Sequence, residues 1–148
     1  MPKEYQLKVI GWIESDLTQV EKAPPQGIGS GQEAWLILEP QYAEGLDGIQ
    51  VGDHLLVLTW LHLAERWPLK LPPHGNHQMP ARGVFGTRSP HRPNPIGVHL
   101  VEVLAVEGNR LRLRDMEAVN GTPVVDIKCV LDWPQFSDVG RLALFKPT

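Results

Sequence analysis

The chain has 148 residues, of which 42% are hydrophobic and 21% charged, with a formal net charge of -3; this suits one globular domain that buries roughly two-thirds of its unfolded surface, and it excludes a disordered or collagen-like chain. Fourteen glycines and fourteen prolines predict many turns and few long helices, and the single Cys129 excludes an internal disulfide framework and a cysteine-rich zinc module, which fits a reducing, cytosolic setting. No apolar run approaches the ~20 residues that span a bilayer, and the opening Met1-Pro2-Lys3-Glu4-Tyr5 lacks the apolar core of a secretory signal.

Short apolar segments separated by Gly, Pro or Asn predict one compact β-rich domain over residues 1–148. Leu7 to Glu14 reads as a first strand. The turn-rich Pro24-Pro25-Gln26-Gly27-Ile28-Gly29-Ser30-Gly31 follows; its glycines have the spacing of a nucleotide loop but follow a proline pair and precede no helix pattern, so the segment is read as a loop. Ala34 to Leu38 is a second strand, and Pro40 to Leu46 a short helix limited by Gly45 and Gly48. His54 to Leu63 is apolar without a break over Leu55 to Leu58, which predicts a central strand covered on both faces. Trp67 to Gly83 holds four prolines, so it is expected to form a long ordered loop without a regular ladder. Val98 to Val106, the turn Gly108-Asn109 and the alternating Arg110-Leu111-Arg112-Leu113-Arg114 predict a hairpin, with leucines on one face and arginines on the other. A last strand runs from Val124 to Leu131, placing Asp126 and Lys128 on one side and Val125 and Ile127 on the other.

Charge is distributed unevenly. Between Arg66 and Val101 there is no Asp or Glu, while Arg66, Lys70, Arg82, Arg88 and Arg92 lie there, and five of the six histidines fall between His62 and His99. Such a stretch favours phosphate or another anion if it forms one surface, and it is an ordinary solvated loop if its arginines pair with acids elsewhere. Within it, Ser89-Pro90-His91-Arg92-Pro93-Asn94-Pro95 carries three prolines that fix their own φ and push Ser89, Arg92 and Asn94 into extended backbone. Arg88, His91, Arg92 and Asn94 are thereby presented at small ordering cost. His74 and His77, with His62 and His91, could in principle hold zinc in a metal-dependent hydrolase, but the spacing matches no established pattern and no metal is expected. The sequence has no G-x-S-x-G, P-loop or H-E-x-x-H motif, which removes weight from common hydrolase and kinase chemistries.

The segment Gly83-Val84-Phe85-Gly86-Thr87-Arg88-Ser89-Pro90-His91-Arg92-Pro93-Asn94-Pro95-Ile96-Gly97 resembles the signature of the TsaA-like family, also called the YaeB or VirR family, whose characterised members are tRNA methyltransferases of the TrmO type. Val9-Ile10-Gly11-Trp12-Ile13-Glu14-Ser15, Pro24-Pro25-Gln26, Leu61-His62 and Gly121-Thr122-Pro123-Val124-Val125-Asp126-Ile127-Lys128 support the likeness in the family's order. The resemblance implies a mainly β, barrel-like domain of mostly antiparallel strands with one or two short helices and a long Pro-rich loop. It also implies S-adenosylmethionine as cofactor, a homodimer, and methylation of N6 of the threonylcarbamoyl-modified adenosine beside the tRNA anticodon. Carried onto this chain, the cofactor contacts fall on Pro25, Gln26, His62, Leu63, Arg88, Val98, Met116, Glu117 and Ala118. Asp126 and Asn94 are the catalytic candidates for orienting the amine, and His91, Arg92 and Lys128 are the RNA contacts. The family usually continues Asp-Ile-Lys-Pro-Tyr where this chain has Asp126-Ile127-Lys128-Cys129-Val130, and with the sequence ending at Thr148 the extra C-terminal domain of some family members is not expected. A cofactor-binding sensor or interaction module without catalysis is the alternative reading.

Overall fold

The computed structural model describes residues 3–17, 30–65, 69–71, 78 and 80–131. Among these the chain forms eight strands: β1 (Gly11–Glu14), β2 (Glu33–Leu38), β3 (His54–Trp60), β4 (Lys70–Leu71), β5 (Arg82–Gly83), β6 (Ile96–Glu107), β7 (Arg110–Arg114) and β8 (Pro123–Cys129). Six of them close an antiparallel barrel in the order β1-β2-β7-β6-β3-β8, and β4 and β5 make a separate two-stranded ribbon. The mainly β, barrel-like expectation is met.

Period-two alternation builds the core. Ile13 of β1, Ala34, Leu36 and Leu38 of β2, Leu55 and Val57 of β3, Val101 and Val103 of β6, Leu111 and Leu113 of β7 and Val124 of β8 are all buried inside the barrel. Each such side chain contributes roughly 1.5–3 kcal/mol by leaving water. Arg110, Arg112 and Arg114 point outward, as the alternation demands; two of them stack on Trp35, at 4.5 Å for Arg110 and 5.6 Å for Arg112. Gly108, with φ +61°, supplies the left-handed residue of the β6–β7 hairpin turn. Pro40–Leu46 is a helix, as expected, but of the tighter 3-10 type.

Four expectations need correction. The first strand is shorter, because Leu7 to Ile10 stay outside the ladder apart from two bonds of Ile10, whose N–H donates to the Val124 carbonyl and whose carbonyl accepts the Glu39 amide. β3 is not covered on both faces: Leu55, Val57 and Thr59 are buried inside, whereas Leu56, Leu58 and Trp60 are half-buried on the outer wall. A continuous apolar run therefore served a barrel with a partly apolar exterior. The Trp67 to Gly83 segment does hold a ladder, the two-residue pairing of Lys70 with Gly83 and Leu71 with Arg82. In β8 the register shifts opposite Leu58 and Thr59, so Val124 pairs with Thr59 and Asp126 with Leu58 while Val125 is left over. That bulge lets Val124 and Ile127 both face the core, and it keeps Asp126 and Lys128 together outside.

Candidate functional site

Strand directions gather the segments singled out by sequence at one end of the barrel. β1 and β3 leave the barrel there, as does β7, and β2, β6 and β8 enter there. The connections at this rim are the one from β1 to β2, the turn after Trp60, the arginine loop before Ile96, and the segment 115–122 between β7 and β8.

The 115–122 segment closes over the core. Met116, Glu117, Ala118 and Val119 are all buried. Their backbone is tied to both neighbouring strand ends: Met116 N–H donates to the Gln32 carbonyl at 3.1 Å, Ser15 Oγ donates to the Ala118 carbonyl at 2.6 Å, and Gly121 N–H donates to the Ile13 carbonyl at 2.7 Å. Asp115 takes a left-handed φ of 65°, uncommon without glycine, and its Oδ1 accepts the Gly31 amide at 2.8 Å. Glu117 is 6% exposed and neither carboxyl oxygen has a hydrogen-bond partner within 3.5 Å. Burial raises its pKa above the usual carboxylate value; Ser30 stands close enough to offset part of the rise, and Asp115 adds to it. An unmatched buried carboxylate costs stability and is found where a ligand supplies the missing donors.

The arginine loop is stiffer than its prolines alone require. Thr87 Oγ1 donates to the Val84 carbonyl at 2.8 Å and accepts the Ser89 amide at 3.2 Å, and Ser89 Oγ accepts the His91 amide at 3.2 Å. These hydroxyl relays hold the backbone in place of a ladder. Arg92 turns back on the loop and donates from one terminal nitrogen to the Thr87 and Ser89 carbonyls, at 2.9 and 3.1 Å. His91 Nδ1 meets the backbone of Glu65 at about 3.1 to 3.2 Å, which ties the loop to the turn after β3. Leu61 N–H donates to the Pro95 carbonyl at 2.7 Å, so the Asn94-Pro95 end is anchored beside exposed His62 and Leu63. Arg88 is exposed and has no ion pair or hydrogen bond among the described residues.

One residue of this rim went unassigned in the sequence reading. His99 pairs with Val57 in register and so turns into the barrel mouth, where its Nε2 lies 2.8 Å from the Oγ1 of the fully buried Thr59. Burial, and then the positive charge of Arg88, lower its pKa to about 4 from the ordinary 6.5, so the ring is neutral at physiological pH. A histidine on the inward alternation of an otherwise apolar strand was the available signal.

The remaining candidates lie on the outer wall. Val98 of β6, Leu58 of β3 and Asp126 of β8 are direct cross-strand neighbours, and Lys128, Leu56 and Leu100 form the next row. Asp126 Oδ2 pairs with Lys128 Nζ at 3.1 Å and its Oδ1 accepts the Ile127 amide at 2.9 Å. Asp126 and Lys128 also edge a groove of about 400 Å³ toward the other barrel end, lined by Ile10, Tyr42, Leu46 and Ile49. The structure thus gathers Arg88, Asn94, His62, Leu63, Met116, Glu117 and Ala118 at one rim and sets Val98, Asp126 and Lys128 on the wall beside it. Pro25 and Gln26 lie outside the described residues, as do His74 and His77. Among the described residues no three His, Cys, Asp or Glu side chains are grouped to hold a metal, and no helix is long and apolar enough to cross a membrane.

Residues 12–133 match the model of the tRNA-methyltransferase O N-terminal domain. A probable S-adenosyl-L-methionine-binding protein of Methanothermobacter thermautotrophicus is 40% identical over 139 residues, 94% of this chain and 96% of the relative. An S-adenosyl-L-methionine-binding protein of Archaeoglobus fulgidus is 44% identical over 122 residues, 82% of this chain and 86% of the relative. Among solved structures, TrmO of Pseudomonas aeruginosa superposes with a TM-score of 0.70 at 30% identity, over 88% of this chain and 56% of that one. A second TrmO gives 0.71 at 32% identity, over 87% and 58%. The chain therefore spans little more than half the length of these solved TrmO chains.

Proposed function

Because the chain belongs to the tRNA-methyltransferase O N-terminal domain family, we propose that it is an S-adenosylmethionine-dependent enzyme that methylates N6 of threonylcarbamoyl-modified adenosine beside the tRNA anticodon. The observation that carries this reading is the presence, at one barrel rim, of an uncompensated cation and an uncompensated buried acid, Arg88 and Glu117. A zwitterionic ligand with ribose hydroxyls and an amino-acid tail answers both. The donor names of the relatives and the rigid, pre-bonded arginine loop point the same way.

In this reading Arg88 holds a carboxylate by a charge-assisted bond, and Glu117 accepts from hydroxyl or ammonium donors. The backbone of Met116 and Ala118, with Leu63 and Val98, forms the apolar slot; His62, Pro25 and Gln26 complete the contacts that the resemblance assigns. When bound, the sulfonium cofactor supplies an electrophilic methyl carbon open to in-line displacement. N6 of that nucleoside is a ureido N–H with a delocalised lone pair, so the protein would both align it, which lowers such a barrier by several kcal/mol, and leave its proton a path to water or to a carboxylate. We assign the orienting of that nitrogen to Asn94, exposed at the end of the proline-braced loop. Asp126 would have to exchange its bond to Lys128 for one to the substrate. Arg92 and His91, fixed on the loop backbone, and Lys128 form the face offered to RNA phosphates.

Val98 and Asp126 face away from the barrel interior, so a ligand reaching both rim and wall needs cover from outside. We assign that cover to a second copy of the chain, seated on Leu56, Leu58, Trp60, Ile96, Val98 and Leu100. The test is methyl transfer from labelled cofactor to tRNA carrying the modified adenosine. Incorporation is expected for the wild type, and Arg88→Ala should reduce it at least tenfold; full activity in that variant would end the role given to Arg88. Cofactor binding without turnover on any tRNA pool would instead support a non-catalytic sensor, a reading favoured by the commitment of Asp126 to Lys128.

A further inference from the structure

Thr59, Gly97 and His99 form a polar knot in the barrel mouth that the reading above leaves unused. Thr59 is fully buried, and its hydroxyl makes one hydrogen bond, to His99 Nε2. A hydroxyl proton sealed from water needs an acceptor, and Nε2 is the acceptor within reach; accepting from Nε2–H instead would orphan that proton. The imidazole therefore carries its own proton on Nδ1. No described residue bonds that nitrogen, and the His99 side chain is only partly buried. Gly97 clears the space: a Cβ there would lie 2.7 Å from Thr59 Oγ1, 3.0 Å from His99 Nε2 and 3.1 Å from Leu61 Cδ2. The charge of Arg88 reaches the same ring.

We propose that His99 Nδ1–H and the Arg88 guanidinium together form a seat for a carboxylate, with Thr59 fixing the tautomer that makes His99 a donor. A neutral donor beside a cation adds direction to attraction, so the seat selects ligands whose carboxylate lies at one set position. Two ligands of the proposed reaction carry a carboxylate, the methyl donor and the threonylcarbamoyl nucleoside; to that extent the inference rests on the function proposed above. The tautomer does not.

Nitrogen-15 NMR of the full chain at neutral pH should show His99 protonated at Nδ1; protonation at Nε2 overturns the proposal. Calorimetry then compares S-adenosylmethionine with its decarboxylated analogue, and the threonylcarbamoyl nucleoside with its carboxamide. His99→Phe should weaken the carboxylate form about tenfold or more in one of these pairs and leave the counterpart lacking that carboxylate within twofold, and the affected pair identifies the ligand. His99→Asn, which keeps a donor near the Nδ1 position, should recover most of the loss. Equal weakening of both members of a pair, no weakening in either pair, or an Asn variant as weak as Phe would overturn the seat. Should His99→Phe not fold, Thr59→Val carries the test, because it frees Nε2 for the proton and should weaken the carboxylate form alone. If the wild type binds neither donor, the methyltransferase reading fails while the NMR result and the nucleoside pair still judge the seat.

Discussion

At the residue scale, two titratable groups, the partly buried His99 and the buried Glu117, pull stability in opposite directions with pH. His99 titrates near 4 in the fold and near 6.5 when unfolded, so between these values the unfolded chain binds the extra proton. Its contribution is intact above about pH 6.5 and falls away as pH drops toward 4, by at most ~1.4 kcal/mol per pH unit. Urea unfolding at pH 7 and pH 5 should show a larger drop in midpoint for the wild type than for His99→Asn. Glu117 does the reverse. Its raised pKa means that the folded state retains a proton which the unfolded chain has released, so stability declines as pH rises above the ordinary 4.5 into that window. Glu117→Gln should therefore raise the urea midpoint at pH 7, with a smaller gain near pH 4.5, while weakening cofactor binding. A midpoint at pH 7 equal to or below the wild type's would show that the carboxylate has partners in solution. Gly97→Ala forces a methyl against the Thr59 hydroxyl and the His99 ring, and about 1–3 kcal/mol of stability should be lost, measured by the same denaturation.

At the scale of elements, the leucines of β7 are the clearest case of pattern dictating place: Arg110-Leu111-Arg112-Leu113-Arg114 alternates in sequence, and both leucines are fully buried. Leu113→Ala should cost 2–5 kcal/mol, roughly, because the surrounding barrel wall cannot collapse into the vacancy. Its neighbours Arg112 and Arg114 form surface ion pairs with Glu33 and Glu102, and replacing either arginine should change stability by no more than about 1 kcal/mol. β8 shows where pattern stops. Its bulge at Val125 is invisible to a period of two, yet it decides that Val124 joins the core while Asp126 reaches the outer wall. Deleting Val125 would restore regular alternation with Val124 still inward opposite Thr59 and Asp126 still outward opposite Leu58. Cooperative thermal unfolding should therefore survive the deletion, and its loss would show that the bulge itself is required.

At the scale of the molecule, closing the barrel creates both an inside that is filled and an outside that is half apolar. The wall of Leu56, Leu58, Trp60, Ile96, Val98 and Leu100 is the surface we assign to self-association. Sedimentation of the wild type at micromolar concentration should give a dimer, and Leu58→Asp, with its side chain pointing away from the core, should give a folded monomer with at least tenfold weaker cofactor binding. A dimer persisting in that variant would place the interface elsewhere.

The sequence alone determined the β class, the hairpin at Gly108-Asn109, the stiffness of the arginine loop and the family likeness. These depend on local rules: side-chain period, fixed proline φ, and an order of residue types along the chain. Tertiary structure decided which of those residues meet. Glu117 became a buried acid because 115–122 folds across the strand ends of β1 and β2, and His99 became a neutral donor because Thr59, forty positions earlier, stands beside it in an antiparallel pair. Burial and protonation are properties of neighbours distant in sequence, and barrel closure alone brings those neighbours together.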